Sequence, residues 1–412
     1  MAETPAKERD WLHHFDHMSQ EVAQDPFPIF DEMRSQACPV AHSDQYGGFY
    51  IPTRYEDIAA IAYNPQAFSS RQITIRNPKF LEQMGGDPDK IPMNQYGAPP
   101  ITSDPPFHTA FRRILLPAFS PPKVNAWEES TREVANARID TFINNGTCDG
   151  AVDFAQHIPI VVISRMLGIP ETDGPIFTRW IHALLEGGLG DIENVLPTVF
   201  EMSGYLQERI AEHRETPQDD IISFMLEAEL DGEPLNDGNL IGSLLLLVLA
   251  GIDTTWSAIG SSIYHLGKYP QDRERLLAEP ELMPFAVEEF LRYYSPVTLA
   301  RIVKEDTIFQ GIEMHRGDQV LMNFPAANRD PAAFPDADKC IIDRAENRHY
   351  AFGVGIHRCL GSNLARMELR VALEEWLRRI PDYRITDESA IRWSVGAVRG
   401  PRTLPLAFQL KD

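Results

Sequence analysis

The stretch "FGVGIHRCLG", Phe352 to Gly361, sets Cys359 among Gly353, Gly355 and Gly361, with His357 and Arg358 just before it. Glycines at such positions let the backbone turn tightly and come close to a flat partner. The next residues, "SNLARMELRVALEEWLRRIP", have the pattern of a long amphipathic helix, so Cys359 stands ahead of a helix N-terminus. Backbone N–H groups there favour negative charge and are expected to lower the thiol pKa. A thiolate so held is either a nucleophile, with His357 as its base, or a metal ligand. An inert buried cysteine is the plain alternative, and the glycine spacing, the histidine and the helix all count against it.

Three further groupings have chemical potential. "AGIDTT", Ala250 to Thr255, puts Asp253 and Thr254 at the end of the longest apolar run. An acid buried there is costly unless it is paired or used. The ordinary account is a salt-bridged Asp253 and a Thr254 hydroxyl bonded one turn back; the functional account is proton transfer, for which an acid and a hydroxyl are apt. "EEFLR" places Glu289 and Arg292 at i,i+3, a spacing that usually marks a weak surface pair. In "SDPPFHTAFRRIL", Asp104 is expected to cap a helix with prolines in its first turn, and His108 and Arg112 share one face at i,i+4.

The elements that must position these groups read as mostly helical. "AWEESTREVANARIDTFINNG", "PIVVISRMLGIP" and "AVEEFLRYYSP" have helical periodicity and end at Gly146, Gly168 and before Pro296. "GGFYIPT", "TIFQGIEMHRGDQVLMN" and "GPRTLPLAFQL" read as strands, the middle one as a hairpin. No strand–GxGxxG–helix unit occurs, which argues against a dinucleotide site. Arg71 to Ser103 carries prolines, Gly85–Gly86 and little periodicity, and is either a surface excursion or a lid.

The 412 residues carry 60 acidic and 38 basic side chains, a formal charge of -22, which argues against nucleic acid or an anionic membrane as the main partner. The N-terminus has no signal-peptide pattern, and the Leu240–Ile252 run is too short to cross a bilayer. Cys38, Cys148, Cys340 and Cys359 are scattered, which suits a reducing cytoplasm and fails the C-x4-C-x2-C iron–sulfur spacing. The expectation is a cytoplasmic chain forming one domain over residues 1–412.

The longer stretch "FGVGIHRCLGSNLAR", Phe352 to Arg366, resembles the haem-binding loop of cytochrome P-450 monooxygenases, F-G-x-G-x-H-x-C-x-G-x-x-L-A-R, at every fixed position. The resemblance implies a mainly α fold with a small β portion, haem b lying between a long distal helix and a proximal cysteine loop. It makes Cys359 the axial thiolate, a ligation that favours O–O cleavage. It assigns Phe352 and Gly361 to the cofactor loop and Ala250 to the gap left for dioxygen. Asp253 and Thr254 become the proton relay, and His108, Arg112, Arg301 and His357 become partners of the propionates. Glu289, Arg292 and Arg344 become a buried structural triad. "GAPPITSDPPFHTAFRRILLPAFSP" and "MNFPAANRDP" resemble most closely the haem domain of self-sufficient bacterial members with a fused phthalate-dioxygenase-type reductase, although here the sequence ends at Asp412 without one.

The implied reaction is insertion of one atom of dioxygen into a small or medium hydrophobic, possibly aromatic, substrate, by hydroxylation or O-dealkylation. Electrons are expected from a separate ferredoxin, or a flavodoxin, with its reductase, docking where Arg113, Arg344, Arg348, Arg358, Arg366 and Arg370 gather around the motifs. Pocket walls are expected from Arg71–Ser103, Phe177–Leu189, Leu246, Leu249 and Ala250, Val297 and Thr298, and Ala397 with Val398. A peroxide-driven enzyme of the same fold and a non-catalytic haem sensor or carrier are the alternatives.

Overall fold

The computed structural model describes residues 10–36, 40–77, 97–186 and 192–409. Cys38, positions 78–96 of the Arg71–Ser103 stretch and positions 187–189 of the Phe177–Leu189 wall lie outside the described residues. Six helices frame the molecule: α1 (Phe107–Leu115), α2 (Glu128–Phe142), α3 (His157–Leu167), α4 (Asp237–Lys268), α5 (Met283–Tyr294) and α6 (Ser362–Arg379). Helix α6 packs on α2, α4 and α5, and α4 also packs on α3. The contacts bury Trp256 of α4, Trp376 of α6 and Phe290 of α5 almost completely. Burial on this scale is worth about 1.5–3 kcal/mol per large apolar side chain.

Helix α4 begins where the Asn236 side chain accepts the Asn239 N–H at 2.8 Å, a standard way to satisfy a free helical N–H. Its 32 residues make it long and apolar enough to cross a bilayer, which corrects the expectation from the shorter apolar run. Most of its apolar window, 72%, is nevertheless buried inside the protein, as befits a core helix.

Five strands form the main sheet: β1 (Val40–Ser43), β2 (Phe49–Pro52), β3 (Phe68–Ser69), β4 (Leu299–Val303) and β5 (Gln319–Met322). Their order is β1-β2-β5-β4-β3, with β5 parallel to β2 and the other pairs antiparallel. The expected hairpin forms at Thr307–Phe309 and Ile312–Met314, while the end of that stretch joins the main sheet as β5. Near the C-terminus Pro401–Thr403 pairs with Arg392–Trp393, and Pro405–Phe408 pairs with Tyr383–Ile385 and Thr147–Asp149.

A buried polar cluster ties α5 to the segment ahead of the cysteine loop. Glu289 and Arg292 are 0% exposed, and Arg292 donates to both Glu289 oxygens, at 2.9 and 2.7 Å. Arg344 Nε reaches the same carboxylate at 3.0 Å, joined by Asn347 Nδ2 at 3.0 Å and the Ile341 N–H at 2.7 Å. Arg292 also donates to the carbonyls of Asn328, Ala337 and Lys339. The weak surface pair suggested by spacing alone is thus the centre of a buried core network. Removing one partner of such a buried pair costs about 3–5 kcal/mol.

Candidate functional site

The cysteine loop is shaped by close backbone approaches. Cys359 N–H donates to Phe352 O at 2.7 Å, and Gly353 N–H to Tyr350 O at 2.8 Å. Gly355 lies at φ +76°, and a Cβ there would meet Ala62 O at 2.6 Å, so only glycine fits. The Arg366 guanidinium sits 4.4 Å above the Phe352 ring, fixing the loop to α6. Burial pushes the Cys359 thiol up; the Gly361 N–H and the charges of Arg112, Arg358 and Arg366 offset this only in part. That corrects the expectation of a lowered thiol pKa: desolvation outweighs the helix N-terminus in the protein alone. A coordinated metal ion would reverse the balance and deprotonate the sulfur outright. Although crowded, Cys359 remains exposed on one side, as does Arg358.

Beside the loop, three elements converge on a cluster of basic side chains. His108 and Arg112 come from α1, Arg301 from β4, and His357 from the turn Gly355–His357. The His108 and His357 rings lie 4.2 Å apart, and Arg112 Nη2 donates to the Arg358 carbonyl. Both His108 nitrogens and His357 Nε2 are buried without a partner. Arg301, 4% exposed, donates from Nη1 to Ala300 O at 2.7 Å. Among the described residues no carboxylate forms an ion pair with any of the four. Burial pushes Arg301 down to about 10 and His357 down to about 2, the latter helped by Arg301, His108 and Arg112. A desolvated group of this kind lacks its anion, and two carboxylates of a porphyrin would supply it.

Helix α1 does not start as the sequence suggested. Pro106 precedes its first turn without a side-chain cap, and the Asp104 carboxylate turns to the sheet instead. It accepts Ser69 Oγ–H at 2.6 Å and the Ser70 N–H at 2.9 Å, pinning α1 to β3. Backbone carbonyls serve the first turn instead: His108 N–H donates to Asp104 O at 3.0 Å, and the Thr109 and Ala110 N–H groups to Pro106 O at 3.1 and 3.2 Å.

On α4 the functional pair is split between two faces. Ala250 is exposed in mid-helix, and Leu246 and Thr254, one turn away on either side, are partly open. Thr254 Oγ1 donates to Ala250 O at 2.7 Å, the back-bond the residue type favours. Asp253 is 0% exposed, and its Oδ1 accepts Arg402 Nη2–H at 2.7 Å while Oδ2 is buried without a partner. Arg402 also donates to Ser257 Oγ at 3.1 Å and to the Glu186 carboxylate, whose other oxygen lies 3.0 Å from His182 Nδ1. Burial raises the Asp253 pKa against the pull of Arg402. Sequence reasoning missed Arg402, Glu186 and His182, because they belong to distant segments.

Val297 and Val398 form an isolated antiparallel bridge, and Thr298 N–H donates to Ala397 O at 2.9 Å. Beside them is a small, partly open pocket. Thr74, Ile75, Leu184, Leu185, Thr298 and Ala397 line it, all within the stretches nominated as pocket walls. His17, Met18, Leu299 and Leu321 line it as well, and nothing in the local sequence pointed to them. Leu246, Leu249, Val297 and Val398 are not brought to this cavity; Leu249 packs partly against the core and Val398 is buried.

The basic residues around the loop divide in two. Arg344 binds Glu289, Arg366 Nε binds Glu288 at 2.6 Å, and Arg370 binds Glu128 at 2.7 Å and Glu374 at 3.0 Å. Arg113, Arg348 and Arg358 are exposed, with no carboxylate at ion-pair distance among the described residues.

Residues 181–380 match the family model described as cytochrome P-450. The chain is 34% identical over 367 residues to the mycinamicin IV hydroxylase/epoxidase of Micromonospora griseorubida, covering 87% of this chain and 89% of that one. It is 32% identical over 341 residues to the steroid C26-monooxygenase of Mycolicibacterium smegmatis, covering 81% and 84%. A myxobacterial cytochrome P-450 solved with myristic acid superposes with a TM-score of 0.86 at 31% identity, over 95% of this chain and 98% of the other. Fold, cysteine loop and these full-length likenesses converge: the chain belongs to the cytochrome P-450 family, oxidoreductases that incorporate oxygen into their substrates.

Proposed function

We propose that this protein is a haem-dependent monooxygenase that hydroxylates or O-dealkylates a hydrophobic substrate, with electrons from a separate ferredoxin. The observation that carries the reading is the cluster of His108, Arg112, Arg301 and His357, the first and third buried and the other two half-buried, with no described carboxylate partner, set beside the exposed Cys359. Donors that have lost much of their water and gained no described anion are arranged for a ligand bearing carboxylates.

In this reading Cys359 holds the iron, and the four basic residues hold the propionates. When bound, the haem supplies the activation of dioxygen and the oxygen insertion. The chain's own residues supply the rest. Ala250, with its single methyl, leaves space on the open face of α4. The Thr254 hydroxyl stands on that face and can exchange its bond to Ala250 O for one to an incoming oxygen atom. Asp253 is the nearest acid in sequence; burial raises its pKa, which eases uptake of a proton, and Arg402 holds Oδ1 in place. Release of Oδ1 by Arg402 would let the carboxyl turn and give a proton to Thr254 Oγ1 as that hydroxyl passes its own proton on to the oxygen atom it faces. The apolar side chains at Ile75, Leu184, Leu185 and Leu299 favour an apolar substrate.

Among the described residues the exposed Arg113, Arg348 and Arg358 carry positive charge on an acidic protein, which fits an acidic electron donor. Turnover under isotopically labelled dioxygen tests the proposal. One labelled atom in the product supports it; label absent from the product, or turnover that needs only peroxide, overturns it.

A further inference from the structure

Consecutive acids of α5 grip the segment ahead of the cysteine loop at two points. Glu289 takes the Ile341 N–H, Arg344 and Asn347. Glu288 takes His349 and, beyond the loop, Arg366 of α6. Arg366 donates to it twice, from Nε at 2.6 Å and from Nη2 at 2.9 Å. His349 Nε2 lies 3.1 Å from the same carboxylate. The Ala351 N–H donates to His349 Nδ1 at 3.2 Å, so the ring gives its proton from Nε2 and carries no net charge.

These contacts close around Phe352. Its ring lies 4.4 Å from the Arg366 guanidinium and 6.1 Å from the His349 ring. Its carbonyl accepts the Cys359 N–H at 2.7 Å. Glu288 therefore holds, from both sides of the loop, the two residues that face the ring whose backbone anchors the cysteine. Charge reaches the sulfur as well: with Arg112 and Arg358, the Arg366 guanidinium favours a Cys359 thiolate. Among the described residues Glu288 is the carboxylate that pairs with Arg366. Burial disfavours the charged form of Glu288, yet the hydrogen bonds from His349 and Arg366 hold its pKa down to about 2. The two side chains are thus an ionised, half-buried pair whose charges offset each other beside the loop.

We propose that Glu288 is a positioning residue for the bound haem: by holding Arg366 and offsetting its charge near Cys359, it sets how readily the iron accepts an electron. The proposal rests on the haem-thiolate reading and adds a control on the reduction step. That step passes one electron from reduced ferredoxin to ferric iron, giving ferrous iron and oxidised ferredoxin. It adds one negative charge at the site, so an unpaired cation nearby favours it and an unpaired carboxylate opposes it. A pair that merely pinned the loop would give no such opposition of sign.

Spectroelectrochemical titration of the haem-loaded protein, without substrate or ferredoxin, reads the midpoint potential. Glu288→Gln keeps the shape and leaves the charge of Arg366 unopposed. It should raise the equilibrium constant for reduction about tenfold, which is about 59 mV for one electron. Arg366→Gln leaves Glu288 unopposed and should lower the constant by a similar factor. The double Gln variant lacks both charges, and Glu288→Asp and Arg366→Lys keep both, so all three should stay within about threefold of the parent. Shifts of the same sign in the two single Gln variants, no shift in either, or a shift in Glu288→Asp as large as in Glu288→Gln would overturn the inference. If one Gln variant takes up no haem, the sign in the other decides. A raised or unmoved potential in Arg366→Gln, or a lowered or unmoved one in Glu288→Gln, then overturns it. The carbon monoxide spectrum of the parent, measured separately, reports on the underlying reading.

Discussion

Arg402 Nη2 and Asp253 Oδ1 lie 2.7 Å apart, and that bond turns the buried acid of α4 away from the face on which Thr254 stands. The same guanidinium lies 4.3 Å from the Trp256 ring and also holds Ser257 and Glu186, so it is clamped on several sides. Arg402→Leu leaves the carboxyl buried alone and should lower stability to chemical denaturation by about 3–5 kcal/mol. Arg402→Leu combined with Asp253→Asn should recover part of the loss, since the fully buried acid is then neutral while Glu186 keeps His182. Equal destabilisation in the single and double variants would show that packing, not the ion pair, is what Arg402 contributes.

Among the described residues Thr254 bonds to its own helix alone, so its removal should spare the fold. Thr254→Ala is expected to consume electrons at a near-normal rate while forming less product and releasing more hydrogen peroxide. Thr254→Ser should stay close to the parent, because it keeps the hydroxyl. Tight coupling of electrons to product in Thr254→Ala would remove Thr254 from proton delivery.

Glu368 of α6 is 0% exposed, and both of its carboxyl oxygens are buried without a partner. Burial pushes its pKa up to about 8. Between the ordinary carboxylate range and that value the folded chain keeps a proton that the unfolded chain has lost. Stability contributed at this site therefore falls as pH rises from about 5 to 8. Glu368→Gln cannot titrate, so its thermal midpoint should gain on the parent as pH rises across that window. A gap that stays constant with pH would contradict the buried, protonated acid.

The division among the loop arginines separates docking from folding. Arg113→Glu and Arg358→Glu should slow reduction by an acidic ferredoxin and steepen its salt dependence, with thermal stability little changed. Arg366→Glu should instead destabilise the fold, because it sets a negative charge against Glu288. Stopped-flow reduction at several ionic strengths distinguishes the two classes. Unchanged rates in the exposed variants would move the docking face elsewhere.

How much of this was legible in the sequence follows from the range of each interaction. The cysteine loop is local: its glycines, His357 and Cys359 fall within ten residues, and their spacing alone narrows the chemistry. Helix ends at Gly146 and Gly168 were equally local, since a left-handed residue stops each one. The joining of Arg344 to Glu289 spans 55 residues and came only through resemblance, because spacing alone argued for a surface pair. Arg402 reaches Asp253 across 149 residues, and His17 meets Ala397 in one cavity, so no pattern in either segment could announce the partner. The thiol pKa of Cys359 was misjudged for a related reason: a helix N-terminus can be read from sequence, whereas desolvation depends on what the whole fold packs around the sulfur. Asp104 shows the same effect, its carboxylate drawn from the expected cap to Ser69 and Ser70 by the approach of β3.

The central claim is that Cys359 binds haem iron as a thiolate, and the absorption spectrum of the reduced, carbon monoxide-bound protein tests it most directly. The account predicts one haem b per chain and the long-wavelength Soret band of a thiolate-ligated carbonyl complex, lost in Cys359→Ala. A protein that takes up no haem, or one whose band lies at the short-wavelength position of a neutral nitrogen ligand, would contradict it.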